Sequence, residues 1–320
     1  MIVTVREFLL EQDLDAACAL GVRAREEDPA VEPFTQRLPV IASGPRALLE
    51  LWRVAEGEDG KLYGLAFAAV REARRRKPAR AEVRSPMLAG LSAPELTEPA
   101  DAHLTIEVYG VVDRSLRRQG LGRQLFEPVV QFALHAPGTT LRARVREAPP
   151  AGKFLQALGF AQASAQLSLA RAAAAPAPRE TPGVAVHPLD RRDRRATEAF
   201  RRLSNEAWAD APDAFETRAD ELEQLLGDLA RVLLLAELEG KTAGYLSAVW
   251  LGETLAIEEI AVLPQYRRFG VGRALVAAAL ARAQTALLTV SEKNTAARAL
   301  YKGLGFQQVG RRLVWELRAP

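Results

Sequence analysis

The hydrophobic and polar positions of the chain repeat one order of elements in its two halves. A period of two predicts strands and a period near 3.6 predicts helices, and each half has a strand, a helix, a pair of strands and a further strand. In the first half these segments are "TVREF", "LDAACALGVRA", "ALLELWRVAEGEDGKLYGLAFAAV" and "LTIEVYGVV". In the second half they are "VAVHPL", "ATEAFRRLSNEAW", "VLLLAELEGKTAGYLSAVW" and "LAIEEIAVL". The repetition indicates a duplicated domain.

Each half continues through a glycine-bearing loop into an amphipathic helix. The loops are "RRQGLG" at 117–122 and "RRFGVG" at 267–272. A strand and then a helix that ends in Leu-Gly-Phe follow in both halves, at 158–160 and at 304–306. This order predicts an α/β fold, a mixed α+β sandwich of two domains, each with a central, mostly antiparallel sheet flanked by helices.

One change of composition predicts the domain boundaries. The stretch 171–183, "RAAAAPAPRETPG", is rich in Ala and Pro and has no hydrophobic period, which is typical of a linker. We therefore predict an N-terminal domain at 1–170 and a C-terminal domain at 184–320. A length of 320 residues suits two domains of about 150 residues each.

Composition and charge argue against several classes of protein. No run reaches the ~18 apolar residues of a membrane-spanning helix. The sequence holds one cysteine, which excludes an internal disulfide and fits a reducing cytoplasm. We therefore expect a cytoplasmic protein with no membrane partner. The net charge of +3 is too small to indicate nucleic-acid binding, although the basic segment 71–84 keeps a nucleic-acid-binding arm as the alternative to a solvated loop.

The two glycine loops have the composition of an anion site. A strand that turns into a helix directs free backbone N–H groups and the positive end of the helix dipole at one point. Gly120, Gly122, Gly270 and Gly272 let the backbone approach phosphate oxygens, and the neighbouring arginines add positive charge. A plain strand-to-helix turn is the alternative for a single copy, and the second copy in the same context argues against it.

The sequence Arg-x-x-Gly-x-Gly between a strand and a helix, together with "NTAARALYKGLGF" at 294–306, resembles the GNAT superfamily of N-acetyltransferases. The resemblance covers nearly all of 184–318 and rests on the loop and "LGF" in the first half. It implies a tandem GNAT fold and direct transfer of an acetyl group from acetyl-CoA to a primary amine, without a metal. It assigns the pyrophosphate of acetyl-CoA to the loop residues Arg267, Arg268, Phe269, Gly270, Val271, Gly272 and Arg273.

The same resemblance assigns the catalytic chemistry to the second half. It places Asn294 near the pantetheine arm and Tyr301 near the sulfur, where a phenol can protonate the departing thiolate. A core aromatic residue is the alternative for Tyr301. Because an alkyl amine is mostly protonated at neutral pH, a group must also take a proton from it.

Two candidates for that group precede the second loop. Several polyamine-type members of the superfamily carry a paired acidic motif at the level of Glu258 and Glu259, which favours Glu258 as base or amine anchor. Adjacent strand residues project to opposite faces, so we expect only one of the two to face the acceptor. Other members place the glutamate two residues earlier, where this chain has Ala256, which leaves the identity of the base open. The alternatives are that both glutamates are surface charges, or that the transfer proceeds through water without a dedicated base. Backbone N–H groups are expected to stabilise the developing oxyanion and to lie against acetyl-CoA at Ile260, Ala261 and Val262.

The first half lacks most of this constellation. It keeps candidate acetyl-CoA contacts at Arg117, Arg118, Gly120 and Gly122. The positions that correspond to Tyr301, Asn294 and Glu258 hold Leu155, Ala148 and Val108. We predict that this degenerate half binds acetyl-CoA or shapes the acceptor site without transferring protons.

The expected acceptor is a small-molecule amine, and two acidic segments favour a cationic one. These segments, 25–33 and 205–216, lie between the first two helices of each half, and a solvated helix end is the alternative for both. In the second segment the groups suited to a cation are Glu206, Trp208, Asp210, Asp213 and Glu216. A non-catalytic CoA or acyl-CoA sensor or scaffold is the alternative to an enzyme. The oligomeric state stays open, and a monomer with a pseudo-dimeric pair of domains is compatible with the duplication.

Overall fold

The computed structural model describes residues 2–28, 38–42, 47–71, 104–147, 149–172, 181–207, 219–283 and 285–319. The chain forms two compact units. Unit 1 contains the described residues up to Ser164 together with those from Arg312 onward, and unit 2 contains the described residues from Ala165 to Arg311. No helix within these ranges is long and apolar enough to cross a membrane.

The first half of the chain forms six strands and four helices in the part that the structure describes. Their bounds are β1 Val3–Glu7, α1 Leu10–Glu27, α2 Leu38–Ala42, β2 Arg53–Gly57, β3 Leu62–Arg71, β4 Leu104–Val112, α3 Leu121–Leu134, β5 Thr139–Arg146, α4 Pro149–Ala157 and β6 Ala161–Arg171. The second half repeats this order. Its elements are β7 Val184–Pro188, α5 Arg194–Ala207, α6 Ala219–Gly227, β8 Arg231–Leu238, β9 Lys241–Leu251, β10 Thr254–Val262, α7 Val271–Leu280, β11 Thr285–Ser291, α8 Thr295–Gly303 and β12 Gln307–Arg318.

Each unit is built on one mixed sheet. In unit 1 the strand order is β1-β2-β3-β4-β5-β12, and in unit 2 it is β7-β8-β9-β10-β11-β6. Neighbouring strands are antiparallel except for one parallel pair in each unit. This pair is β4 with β5 in unit 1 and β10 with β11 in unit 2. The predicted fold class, a mostly antiparallel sheet flanked by helices in each of two similar units, is confirmed.

The last strand of each unit comes from the other half of the sequence. In unit 1, Arg312–Arg318 of β12 pair with β5, and Trp315 and Leu317 pack against the apolar core. In unit 2, residues 166–171 of β6 pair with β11, and Leu167 and Leu169 enter the core. The predicted domains, 1–170 and 184–320, therefore differ from the compact units by one strand each. Most of the predicted linker, 173–180, and the basic segment beyond Arg71 lie outside the described residues.

The sheet of unit 2 carries a separate apolar core on each face. On one face α7 and α8 cover a cluster that includes Leu234, Leu255 and Ile257. On the other face α5 and α6 cover a cluster that includes Leu233 and Tyr245. These two faces are called the α7 face and the α5 face below, because the candidate chemistry is divided between them.

Replacement of Trp315 by Ala tests the strand exchange in unit 1. We expect a loss of about 3 kcal/mol of unfolding free energy, since the indole packs against a core built from the first half of the chain. Hydrogen exchange should accelerate in β5, the strand that β12 pairs with. The control is Leu229→Ala at a side chain that is 91% exposed, which should change neither quantity. Unchanged exchange in β5 with Trp315→Ala contradicts the assignment.

Candidate active site

The parallel strands of unit 2 separate partway along their length. The β10–β11 pairing runs from Thr254 with Thr285 to Ile257 with Leu288 and ends there. Beyond that point β10 continues paired with β9 as far as Val262, and β11 continues paired with β6 as far as Ser291. A cleft therefore opens in the sheet between the carboxyl ends of β10 and β11, directly before the second glycine loop.

A β-bulge in β10 lies at the start of this cleft. Ile257 pairs with Ala248 of β9, but Glu259 pairs with the next residue, Ser247, so Glu258 is the extra residue. A bulge reverses the alternation of side chains beyond it. Leu255 and Ile257 pack in the core of the α7 face, whereas Ala261 and Leu263 pack in the core of the α5 face. Glu259 is thereby directed to the α5 face.

Both glutamates bind groups on this face. Glu258 accepts a hydrogen bond of 2.5 Å from Arg231, which also donates to Ser247 Oγ at 2.8 Å. Glu259 accepts one of 2.9 Å from the hydroxyl of Tyr245, which lies two residues before Ser247 on β9. The prediction that the adjacent glutamates project to opposite faces is wrong, because the bulge interrupts the regular alternation.

The two carboxylates nevertheless differ in their surroundings. Glu258 is paired with the Arg231 guanidinium, which also lies 3.4 Å from Asp228, and its side chain is 45% exposed. Glu259 is half-buried and accepts a hydrogen bond from the neutral phenol of Tyr245.

The second glycine loop has the backbone conformation of an anion site. Gly270 precedes α7 with φ of 85°, and Arg268 is left-handed with φ of 72°. The N–H groups of Val271, Gly272 and Arg273 donate to no acceptor within the part of the chain that the structure describes. Phe269 is 62% exposed beside them. Free N–H groups at a helix N-terminus, with three arginines at 267, 268 and 273, suit a phosphate group.

Arg267 braces this loop against the end of β10. Its Nε donates to the Val262 carbonyl at 3.2 Å. The Leu263 N–H donates to Ala243 of β9, so by strand alternation the Ala261 N–H also points to β9, and those of Ile260 and Val262 point to the cleft. Of the three predicted oxyanion donors, Ile260 and Val262 therefore have the right direction and Ala261 does not.

Tyr301 belongs to α8, on the α7 face, and Asn294 directly precedes this helix. Tyr301 is 8% exposed and its ring packs against Phe306 at a centroid distance of 5.8 Å. Burial raises the pKa of its hydroxyl to about 12, so the group is a proton donor at neutral pH. Its hydroxyl makes no hydrogen bond to another described residue. Asn294 caps α8, because its side chain accepts from the Ala297 N–H at 3.1 Å.

Unit 1 repeats the cleft and the loop. The β4–β5 pairing ends at Val108 with Ala143, while β4 stays on β3 to Val112 and β5 stays on β12 to Arg146. Gly120 and Arg118 have φ of 83° and 70°, and Gly122 approaches Phe154 closely. Arg117 donates to the Val112 carbonyl at 3.0 Å, as Arg267 does in unit 2, but also pairs with Asp28 at 2.7 Å.

The chemistry of unit 2 is replaced in unit 1 by apolar and aromatic contacts. Tyr109 occupies the position of Glu259 and stacks on Phe67 at 4.6 Å. Leu155, at the position of Tyr301, is buried in the core. The Glu107 carboxylate next to these positions is held by Arg144 at 2.6 Å. Ala148, which aligns with Asn294, lies outside the described residues.

Part of the predicted acceptor wall cannot be placed. Of the second acidic segment, Glu206 belongs to α5, while Trp208, Asp210, Asp213 and Glu216 lie outside the described residues. No group of three His, Cys, Asp or Glu side chains that could hold a metal occurs within the described ranges. The sequence did not single out Arg231, Tyr245 and Ser204, because each lies in an apolar or helical segment without a recognisable motif.

Comparison with known proteins agrees with this arrangement. A model of the acetyltransferase (GNAT) family matches residues 197–306, which include most of α5, both glutamates, the second loop and α8. A protein of Salinispora arenicola named mycothiol acetyltransferase is 30% identical over 239 residues, which are 69% of this chain and 75% of that protein. The sequence similarity thus extends beyond a single domain.

Solved structures share the fold over nearly the whole chain. A GCN5-related N-acetyltransferase from Sphaerobacter thermophilus has a TM-score of 0.67 at 20% identity and covers 98% of this chain and 95% of its own. A tandem GNAT protein from the clavulanic acid biosynthesis pathway has a TM-score of 0.69 at 17% identity and covers 100% and 99%. Both likenesses concern the fold, and the second is to a tandem arrangement.

The raised pKa of Tyr301 predicts a specific loss of stability in alkali. Between pH 8 and pH 11 the unfolded chain ionises this phenol and the folded protein does not, so the folded state loses free energy relative to the unfolded one. Wild type should lose about 1.4 kcal/mol more unfolding free energy over this range than Tyr301→Phe, as one pKa unit is worth ~1.36 kcal/mol. Urea unfolding at the two pH values measures the difference, and equal losses contradict the prediction.

Proposed function

The chain belongs to the acetyltransferase (GNAT) family and is an acyltransferase, and from this premise we propose that unit 2 transfers an acetyl group from acetyl-CoA to the primary amine of a small molecule. The observation that carries the proposal is the division of groups across the cleft. Glu259 lies on the α5 face and Tyr301 on the α7 face, at the end of the sheet where β10 and β11 separate. A thioester held in the cleft would therefore have a base on one side and an acid on the other.

The second glycine loop fits the pyrophosphate of acetyl-CoA. The N–H groups of Val271, Gly272 and Arg273 are available, and Arg268 adds charge. A Cβ at Gly270 would lie 2.5 Å from Thr181 Cγ2, so a side chain there would distort the loop. The N–H groups of Ile260 and Val262, in the strand before this loop, point to the cleft. Acetyl-CoA supplies the activated acetyl group when bound.

Glu259 is the proposed proton acceptor. Its carboxylate is half-buried on the face that α5 and α6 cover, and the phenol of Tyr245 fixes one of its oxygens. The carboxylate can accept the proton of an amine that attacks the acetyl carbonyl, directly or through a water. Glu258 is the weaker candidate, because its carboxylate is held by the Arg231 guanidinium at 2.5 Å.

Tyr301 is the proposed proton donor. A phenol with a pKa of about 12 keeps its proton at neutral pH, and the hydroxyl is not committed to another described residue. It can therefore give this proton to the sulfur of CoA as the carbon–sulfur bond breaks. The N–H groups of Ile260 and Val262 would stabilise the negative charge on the acetyl oxygen.

The acceptor remains defined by its chemistry. One sequence relative is named mycothiol acetyltransferase, so the amine that accepts the acetyl group in that enzyme's reaction is one compound to test. A polyamine such as spermidine is a second, since Glu259 and Glu206 are acidic groups on or near the α5 face. The Glu258–Arg231 pair weakens the case for a strongly cationic acceptor, because Glu258 already has a cationic partner.

Unit 1 is proposed to act without proton transfer. Its cleft and loop have the same backbone conformation as those of unit 2, but Tyr109 and Leu155 replace the base and the acid. The ion pair of Arg117 with Asp28 also reduces the positive charge at its loop. Acetyl-CoA binding in unit 1 would therefore be weaker than in unit 2.

Titration of acetyl-CoA into the protein tests the site. Gly270→Glu should weaken binding at least about a hundredfold, since the side chain collides with Thr181, strains a backbone of φ 85° and repels phosphate. Gly120→Glu is the matched variant, with the same backbone conformation at 83° and no atom within 4 Å of its Cβ. It should leave the tight site intact. Loss of that site with Gly120→Glu alone would assign it to unit 1.

Steady-state kinetics with a panel of amines tests the catalytic assignments. The panel is spermidine, glucosamine and the acceptor of the mycothiol acetyltransferase reaction. With the best of these, Glu259→Gln and Tyr301→Phe should each lower kcat by about 10²-fold or more with little change in the KM of acetyl-CoA. Glu258→Gln should lower kcat less than about tenfold. A larger loss with Glu258→Gln than with Glu259→Gln would transfer the role of base to Glu258.

A further inference from the structure

A buried tyrosine lies behind the proposed base. Tyr245 is 0% exposed and belongs to the apolar cluster of the α5 face. Burial of a phenol hydroxyl in an apolar cluster costs free energy unless the hydroxyl is hydrogen-bonded. Tyr245 lies on β9 and contacts two elements of the site, α5 on one side and β10 on the other.

The hydroxyl of Tyr245 has two oxygen neighbours. It donates to Glu259 Oε2 at 2.9 Å and lies 3.1 Å from Ser204 Oγ of α5. A phenol has one proton and the carboxylate can only accept, so in the contact with Ser204 the serine is the donor. The order of donation is then Ser204 to Tyr245 to Glu259, and it ends on the carboxylate of the proposed base.

Packing fixes the tyrosine ring that holds this bond. The ring meets Phe200 of α5 edge to face, with centroids 5.0 Å apart and planes at 73°. Protein cores are packed about as densely as organic crystals, so a side chain in the core adopts one arrangement. The bulge in β10 supplies the other half of the geometry, because it directs Glu259 to the face on which Tyr245 lies.

We propose that Tyr245 is a positioning residue for the acetyl transfer. It holds Oε2 of Glu259 and stabilises the ionised carboxylate that accepts the proton. This inference rests on the proposed role of Glu259 in unit 2. It adds a residue that makes no contact with either substrate and acts through the base.

Unit 1 provides an independent contrast. Tyr109 stands where unit 2 has Glu259, and Leu65, which pairs with Val111, stands where unit 2 has Tyr245 paired with Ala261. Leu65 is fully buried in an apolar cluster. The unit without the carboxylate thus also lacks the phenol, as expected if the phenol serves the carboxylate.

The test is Tyr245→Phe in the full-length protein. Phe keeps the ring and its contact with Phe200 and removes only the hydroxyl. With the best amine of the panel of spermidine, glucosamine and the mycothiol acetyltransferase acceptor, kcat should fall at least about tenfold while the KM of acetyl-CoA changes less than twofold. Ser204→Ala, which removes the donor to Tyr245, should lower kcat to a value between wild type and Tyr245→Phe.

The matched control is Tyr63→Phe. Tyr63 donates a bond of the same length, 2.9 Å, to the Asp59 carboxylate in a surface hairpin of unit 1. The same atomic change there should leave kcat within twofold of wild type. In the Glu259→Gln background, Tyr245→Phe should have little further effect, because the base that it positions is gone.

The outcomes separate this inference from the proposed function. If Glu259→Gln is impaired but kcat of Tyr245→Phe stays within twofold of wild type, the positioning role alone is overturned. The same holds if Tyr245→Phe lowers kcat equally in both backgrounds, which would indicate a general packing defect. If Glu259→Gln retains wild-type kcat, the role of Glu259 falls and this inference falls with it.

Discussion

The site depends on the separation of two parallel strands. After Ile257 and Leu288 each strand keeps one partner, β9 for β10 and β6 for β11. Backbone groups that lose a strand partner need another one. The Val262 carbonyl accepts a hydrogen bond from Arg267, while the N–H groups of Ile260 and Val262 point to the cleft. The pairing of β11 with β6 continues to Ser291, so β11 stays in the sheet on that edge while it separates from β10.

Local chemistry explains which features the sequence could predict. The loops were recognisable because a left-handed residue before a helix favours glycine, and Gly120 and Gly270 occupy that position. The strand exchange was not predictable, because β6 and β12 have the alternation of a strand regardless of which sheet they join. The bulge at Glu258 was also hidden, since it is defined by pairing with Ala248 and Ser247 on another strand.

The candidate site shows the same division. The loop was singled out by its glycines and Tyr301 by resemblance to a family, and the structure adds that Asn294 serves as a helix cap. Tyr245 and Arg231 were missed. In the sequence Tyr245 has the pattern of a core residue of an apolar strand, and Arg231 has the pattern of an exposed residue at the start of one. Their importance depends on which carboxylate each one contacts, and only tertiary structure brings those groups together.

The two units differ at both members of the Tyr245–Glu259 pair, and the cost of incomplete polar networks favours such a joint difference. A buried hydroxyl or carboxylate that loses its partner keeps its full desolvation penalty, so removal of one member destabilises a network more than removal of all of them. Unit 1 has apolar or aromatic side chains at the positions of both Glu259 and Tyr245, and its Tyr109 gains a stacked contact with Phe67. Its cleft and loop conformation depend on strand pairing and on glycine, which the different side chains at these two positions leave untouched.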